Sequence, residues 1–283
     1  MTPLRQKMID AMQLRGFSVR THQSYLAAVN DLARYYHRSP DGLNREEIQA
    51  YFLYLVKERH LAPASCRLSL NGIRFFYIQV VGLSSFEITI TLPKRPQKIP
   101  ELLTLQEISQ ILSACQHAKH RMLLSTCYGC GLRVSELVAL KVRHLDGENQ
   151  RMRIEQGKGQ KDRYVMISPE LLRQLRFYWQ RFRPKQWLFE HRDEERPLAI
   201  QTVQRVFRIA KQRAKINKIG GIHSLRHAYA THQLQGGLPV HQLQSMLGHQ
   251  DLRTTLRYVH WVPDYKAQAQ HVDLIASLEF NDE

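Results

Sequence analysis

A proline-rich, basic tract in the first half of the chain limits the fold more than any other feature. Thr91-Leu92-Pro93-Lys94-Arg95-Pro96-Gln97-Lys98-Ile99-Pro100 holds three prolines and three bases. Proline lacks the N–H that a helix or a central strand needs, and it pushes the preceding residue into extended backbone. No regular element can cross this stretch, so the reading sets a linker at residues 91–101 between one body at 1–90 and another at 102–283. A chain of 283 residues has the length for two domains.

The first body reads as four short helices. Leu26, Val29, Ala33 and Tyr36 recur at helical spacing, as do Ile48, Tyr51, Phe52 and Leu55. Gly16 stands where a first helix stops and Ser18 where a second is capped. Asn44 with Glu47 three residues on has capping-box spacing for the third, and Pro63 suits the first turn of a fourth running to about Val80. Past the linker, Thr104 and Glu107 repeat the capping-box spacing. Met152 and Ile154, then Val165 and Ile167, alternate with polar residues around Gly157-Lys158-Gly159-Gln160, which predicts a β-hairpin with a lysine at its tip. Helical patterns follow at 169–182, 201–214, 223–235, 239–247, 251–258 and near 264–278. The fold class is therefore mainly α with a small antiparallel β-hairpin or sheet.

Charge narrows the partner. The formal net charge is +16. It divides into +7 over residues 1–100 and +9 over the remainder, so both bodies carry basic surface suited to a polyanion, of which nucleic acid is the commonest large one. No apolar run approaches the roughly 20 residues of a membrane span, and the polar start, Met1 to Asp10, lacks the apolar stretch of a signal peptide. The expectation is a soluble cytoplasmic protein. Cys66, Cys115, Cys127 and Cys130 are too few for a disulfide framework, and Cys127-x-x-Cys130 has no second pair at zinc-site spacing. They read as free thiols.

Several short motifs are unremarkable singly. His223 and Arg226 share a helix face and aim two donors at one point, which suits a phosphate or a carboxylate. His223-x-x-x-His227 has Ser224 where a zinc protease needs glutamate. Leu247-Gly248-His249 reads as a helix stop, with Asp251 capping the next helix and Tyr258 on it. Glu136 beside Arg133 reads as a salt bridge or cap. Their order is more informative. Tyr128-Gly129-Cys130-Gly131-Leu132-Arg133-Val134-Ser135-Glu136-Leu137, then Gly157-Lys158-Gly159-Gln160-Lys161-Asp162-Arg163, then His223-Ser224-Leu225-Arg226-His227, then Leu247-Gly248-His249, then Tyr258 resemble the boxes of the tyrosine recombinases, the phage-integrase and Xer-like enzymes. The N-terminal pattern resembles that family's SAM-like core-binding domain. Cys130 and Ala228 depart from its commoner residues without touching the chemistry.

The resemblance implies a two-domain, C-shaped clamp on double-stranded DNA, with four protomers on two sites and in some members a partner recombinase. It implies no cofactor and no metal. Carried over, the catalytic set falls on Arg133, Lys158, His223, Arg226, His249 and Tyr258. Tyr258 would attack a phosphodiester to form a 3′-phosphotyrosine. Arg133 and Arg226 would hold the non-bridging oxygens and lower the phenol's pKa, and His249 would add a donor. His223 would take the proton, and Lys158 would protonate the leaving 5′ oxygen. His260 is at least as well explained by structure. The tail, about 264–283, is expected to dock on a neighbouring protomer or on its own domain. Rival readings are a type IB topoisomerase-like DNA-relaxing enzyme and a catalytically silent DNA-binding regulator. The complete residue set disfavours the regulator, and the separate N-terminal bundle and the tail disfavour the topoisomerase.

Overall fold

The computed structural model describes residues 2–86, 100–155, 162–191, 196–262, 265 and 273–278. The chain divides into two units, Met1–Lys98 and Ile99–Glu283. The predicted tract at 91–99 and the hairpin tip with Lys158 lie outside the described residues.

In the first unit each helix starts where a cap satisfies its free N–H groups. α1 (Pro3–Leu14) is capped by Thr2 and α2 (Val19–Tyr36) by Ser18, whose side chain accepts from the Thr21 N–H. α3 (Arg45–Lys57) opens with the full Asn44–Glu47 capping box. α4 (Pro63–Phe76) passes into a π-helical turn, Tyr77–Val81, that stops at Gly82 with φ 89°. The helical run thus reaches about as far as its pattern predicts, but its hydrogen bonding widens to the π form at Tyr77. α2 lies against α4. Gly72 permits this contact: a Cβ there would stand 3.0 Å from the Tyr25 Cα. Met8, Met12, Leu32, Ile48, Phe52, Leu55, Ile73 and Phe76 form the core.

The second unit is built on two helices buried nearly all round, as expected of central helices. α6 (Ala118–Gly129) buries every residue from Met122 to Gly129, and α10 (His223–Gln235) nearly all from Leu225 to Leu234. Around them pack α5 (Leu105–Ser113), capped by Thr104 and Glu107, α7 (Val134–Val138), α8 (Pro169–Phe182), α9 (Ile200–Arg213), α11 (Val240–Leu247) and α12 (Leu252–Val259). The hairpin is present as β2 (Arg151–Ile154) and β3 (Arg163–Met166), antiparallel with Met152 opposite Val165. A two-residue strand, β1 (Leu145–Asp146), adds a third to the sheet and was too short to show periodicity.

Of the last helical pattern, near 264–278, only residues 265 and 273–278 lie among the described residues. Asp273–Leu278 forms turns rather than a regular helix, and the Asp273 carboxylate accepts from the N–H groups of Ile275 and Ala276. Leu274, Ile275 and Leu278 are buried in the core of this same unit. Ile275 sits over Gly129, where a Cβ would come within 2.9 Å of its Cγ1. Among the described residues no helix is long and apolar enough to cross a membrane.

Candidate active site

At the end of α6 the chain turns through Gly131, with φ +59°, and a Cβ there would stand 2.4 Å from the Tyr229 ring. The turn delivers Arg133 to the N-cap of α7. Its N–H donates to Glu136 Oε2 at 2.9 Å, and its guanidinium donates to Oε1 at 2.7 Å. Glu136 is 6% exposed and also takes a two-pronged bond from Arg163, 2.8 Å on each side. Arg226 Nη1 stands 3.9 Å from the same carboxylate. One buried anion therefore faces three guanidiniums. Burial pushes the Glu136 carboxyl upward, but the bonds and charge of Arg163 and the bonds from Arg133 outweigh it and hold it at about 2. The cap and ion-pair role expected of Glu136 is what it performs, with more partners than its sequence neighbours suggested.

Arg226 projects from the first turns of α10 and is 4% exposed. Its Nη1 donates to the Gly131 carbonyl and its Nη2 to the Leu247 carbonyl, both at 2.6 Å. Burial, then Arg133, lowers its pKa to about 10, so it stays cationic at neutral pH. Gly248 closes α11 in the left-handed conformation, φ 62°, and turns His249 inward. Its Nε2 lies 3.1 Å from Arg226 Nη2, and Nδ1 lies 2.9 Å from Thr255 Oγ1, which orients the ring.

α12, capped by Asp251, carries Tyr258 into this cluster. The ring stacks on His249 at 6.3 Å with planes 6° apart, and meets Trp261 edge-on at 5.1 Å. It is 4% exposed. The expected pull of the two arginines is present, but it does not decide the phenol's pKa. Burial raises the phenol's pKa, and the opposing pull of Arg226 and Arg133 is too weak to reverse it. The arginines pull the phenol downward as expected, and the net direction is upward because the ring is buried.

Arg133, Arg226, His249 and Tyr258 thus share one site. His223 stands at its exposed rim, its pKa lowered by burial and by Arg226 and Arg133. The histidine within hydrogen-bond distance of the phenol is instead His227, with Nδ1 3.0 Å from the Tyr258 hydroxyl. His260 is exposed at the end of α12. Lys158 lies outside the described residues. Sequence reasoning missed Arg163 and His227. Arg163 shares the inward parity of Val165 on its strand, a sign that a buried cation needs a carboxylate. His227 lies four residues after His223 and so on the same face. Cys127 and Cys130 are buried, and burial pushes each thiol up to about 12. Among the described residues no group of histidine, cysteine, aspartate or glutamate could hold a metal ion.

Comparison with known proteins adds a second line. The pattern of the phage integrase family matches residues 101–263, and that of the phage integrase N-terminal SAM-like domain matches residues 4–85. The chain is 43% identical over 260 residues to an integrase/recombinase homologue of Sinorhizobium fredii, covering 92% of this chain and 84% of that one. It is 29% identical over 250 residues to the tyrosine recombinase XerA of Pyrococcus horikoshii, covering 87% and 85%. Among solved structures it resembles a lambda integrase dimer bound to a COC' core site, at a TM-score of 0.73 and 17% identity over 89% of this chain and 95% of that one. The Tn1549 transposon integrase in complex with transposon right end DNA gives the same TM-score, at 18% identity over 91% and 94%.

Proposed function

The chain belongs to the phage integrase family, and from that premise we propose how its own residues carry out site-specific DNA recombination. A phosphodiester of double-stranded DNA enters between Arg133 and Arg226, whose guanidiniums grip its non-bridging oxygens. His249 donates to a further oxygen. Tyr258 Oη attacks phosphorus, the bond to the 5′ oxygen breaks, and a 3′-phosphotyrosine forms. That ester conserves the energy of the broken bond, so a second strand's 5′ hydroxyl can reseal it without ATP. Lys158 supplies the proton that the departing 5′ oxygen takes. The guanidiniums provide the positive charge that divalent cations provide in other phosphoryl transfers, so the reading needs no metal.

The observation that carries this reading is the burial of Tyr258 against His249 in the electrostatic reach of both Arg226 and Arg133. We assign DNA-core binding to residues 1–90, connection to 91–101 and strand chemistry to 102–283. The assembly we propose is four protomers on two DNA sites, with room for a partner recombinase, acting in the cytoplasm.

The test uses nicked duplexes taken from inverted repeats in the DNA flanking the coding sequence. The full chain should become covalently joined to the 3′ phosphate, equally in excess EDTA, and Tyr258→Phe should give no adduct. An adduct with Tyr258→Phe assigns the nucleophile elsewhere. Dependence on added magnesium removes the metal-free mechanism.

A further inference from the structure

We propose that His227, outside the six residues named for the chemistry, receives the phenolic proton of Tyr258 as the strand is cut; this rests on the reading of Tyr258 as the nucleophile. His227 Nδ1 lies 3.0 Å from the Tyr258 hydroxyl, and the ring centroids are 5.7 Å apart. Trp261 braces both rings edge-on, at 5.9 Å from His227 and 5.1 Å from Tyr258. His249 stacks on Tyr258. The pair is thus held in register from two sides. His223, one helical turn earlier, is exposed, while His227 is half-buried. The two histidines of one helix face stand at different depths, and the deeper one meets the nucleophile.

In a neutral imidazole one ring nitrogen carries a hydrogen and the other accepts. A phenol O–H facing Nδ1 sets Nδ1 as acceptor and leaves the ring hydrogen on Nε2. Burial, with His223 and Arg226 nearby, lowers the His227 pKa to about 4, so at neutral pH the ring arrives unprotonated. An entering phosphodiester adds negative charge beside it, and that favours the imidazolium when the proton moves. In the step, the Oη–P bond forms, the bond from phosphorus to the 5′ oxygen breaks and the Oη proton passes to Nδ1. The 5′ oxygen takes its proton from Lys158, and resealing runs the same transfers backward. The charged and titratable groups around the pair are His223 and Arg226 on α10, Arg133 and Glu136 at α7, Arg257 on α12 and His249 after α11.

His227→Asn tests this, because its amide oxygen can accept a hydrogen bond near the Nδ1 position but cannot hold a proton. Single-turnover cleavage by the full chain is measured against pH on a nicked duplex with sulfur in place of the bridging 5′ oxygen, a leaving group that needs no acid. With duplex binding and melting temperature like the parent's, His227→Asn should cleave about a hundredfold more slowly at neutral pH. Its rate should climb through the alkaline range as phenolate forms. A fluorinated tyrosine of lower phenol pKa at position 258 should restore much of the loss. A parental rate and pH profile overturns the proposal. So does a slow variant indifferent to both pH and fluorination, which marks a structural role. Where His227→Asn does not fold, the same readouts on His227→Ser decide. DNA trapping by Tyr258→Phe removes the underlying reading; an inert Tyr258→Phe beside an unimpaired His227→Asn removes only the role of His227.

Discussion

The two units bury different things. Among the described residues the first unit buries apolar and aromatic side chains and no charged group. Its deep polar atoms include the Tyr77 phenol, which donates to the Pro40 carbonyl, and His22 Nε2. The second unit buries Glu136, His144, Glu190, Arg226, His232 and Gln233. Buried charge costs stability unless it is paired, and it is weak support for a fold even when paired. The first unit can therefore be stable by area alone. The second gives up part of that stability to hold cations in fixed places before a ligand arrives, which is what electrostatic stabilisation of a transition state requires.

The sharpest way to break this contrast is Glu136→Ala. It leaves Arg133, Arg163 and Arg226 without their shared anion and should destabilise the second unit by about 3–5 kcal/mol. Hydrogen exchange along the full chain would localise the loss to that unit. Acid should act in the same direction. The Glu136 carboxyl has an ordinary value of 4.5 and a folded value of about 2, so its contribution is whole above about 4.5 and fades as pH falls toward 2. Exchange protection in the first unit, which buries no carboxylate among its described residues, should respond less.

Next in size is Arg226→Ala. Loss of one preorganised donor is worth about 3–4 kcal/mol, so single-turnover cleavage should fall by about a hundredfold or more. DNA affinity proposed for the first unit should survive, and a gel-shift titration would show it. In the apolar unit, Leu32→Ala should cost about 3 kcal/mol of folding free energy while the second unit's exchange protection persists. The smallest effect sharpens the comparison from the other side. Asn44→Ala and Thr104→Ala each remove a capping box, one per unit, and each should cost about 1 kcal/mol. Unequal costs would mean that helix starts depend on the surrounding unit rather than on local bonds.

That locality explains what was legible in the sequence. Ser18, Asn44 with Glu47, and Thr104 with Glu107 mark helix starts because a cap is satisfied within three residues. α8 and α10 begin and end where their apolar periodicity does. The π turn at Tyr77 escapes such reading, because it depends on hydrogen bonds that compete with a plain helix. In the site, Arg133, Arg226, His249 and Tyr258 could be named together from their order along the chain. Arg163 and His227 could not, since their partners Glu136 and Tyr258 lie far from them in sequence. The direction of the phenol's shift was likewise hidden. It turns on how much water Tyr258 loses, and neighbouring charges alone do not tell that.

Gly131 has a consequence for how this chain can drift. Its carbonyl receives Arg226, and its missing side chain makes way for Tyr229, three residues farther along the same helix. Any replacement would jostle the aromatic ring and the cation at once, from a position that itself offers no chemistry. Evolution can retouch much of the surface nearby, but this small corner is closed to it, and homologues that lose the glycine should have lost the cutting reaction too.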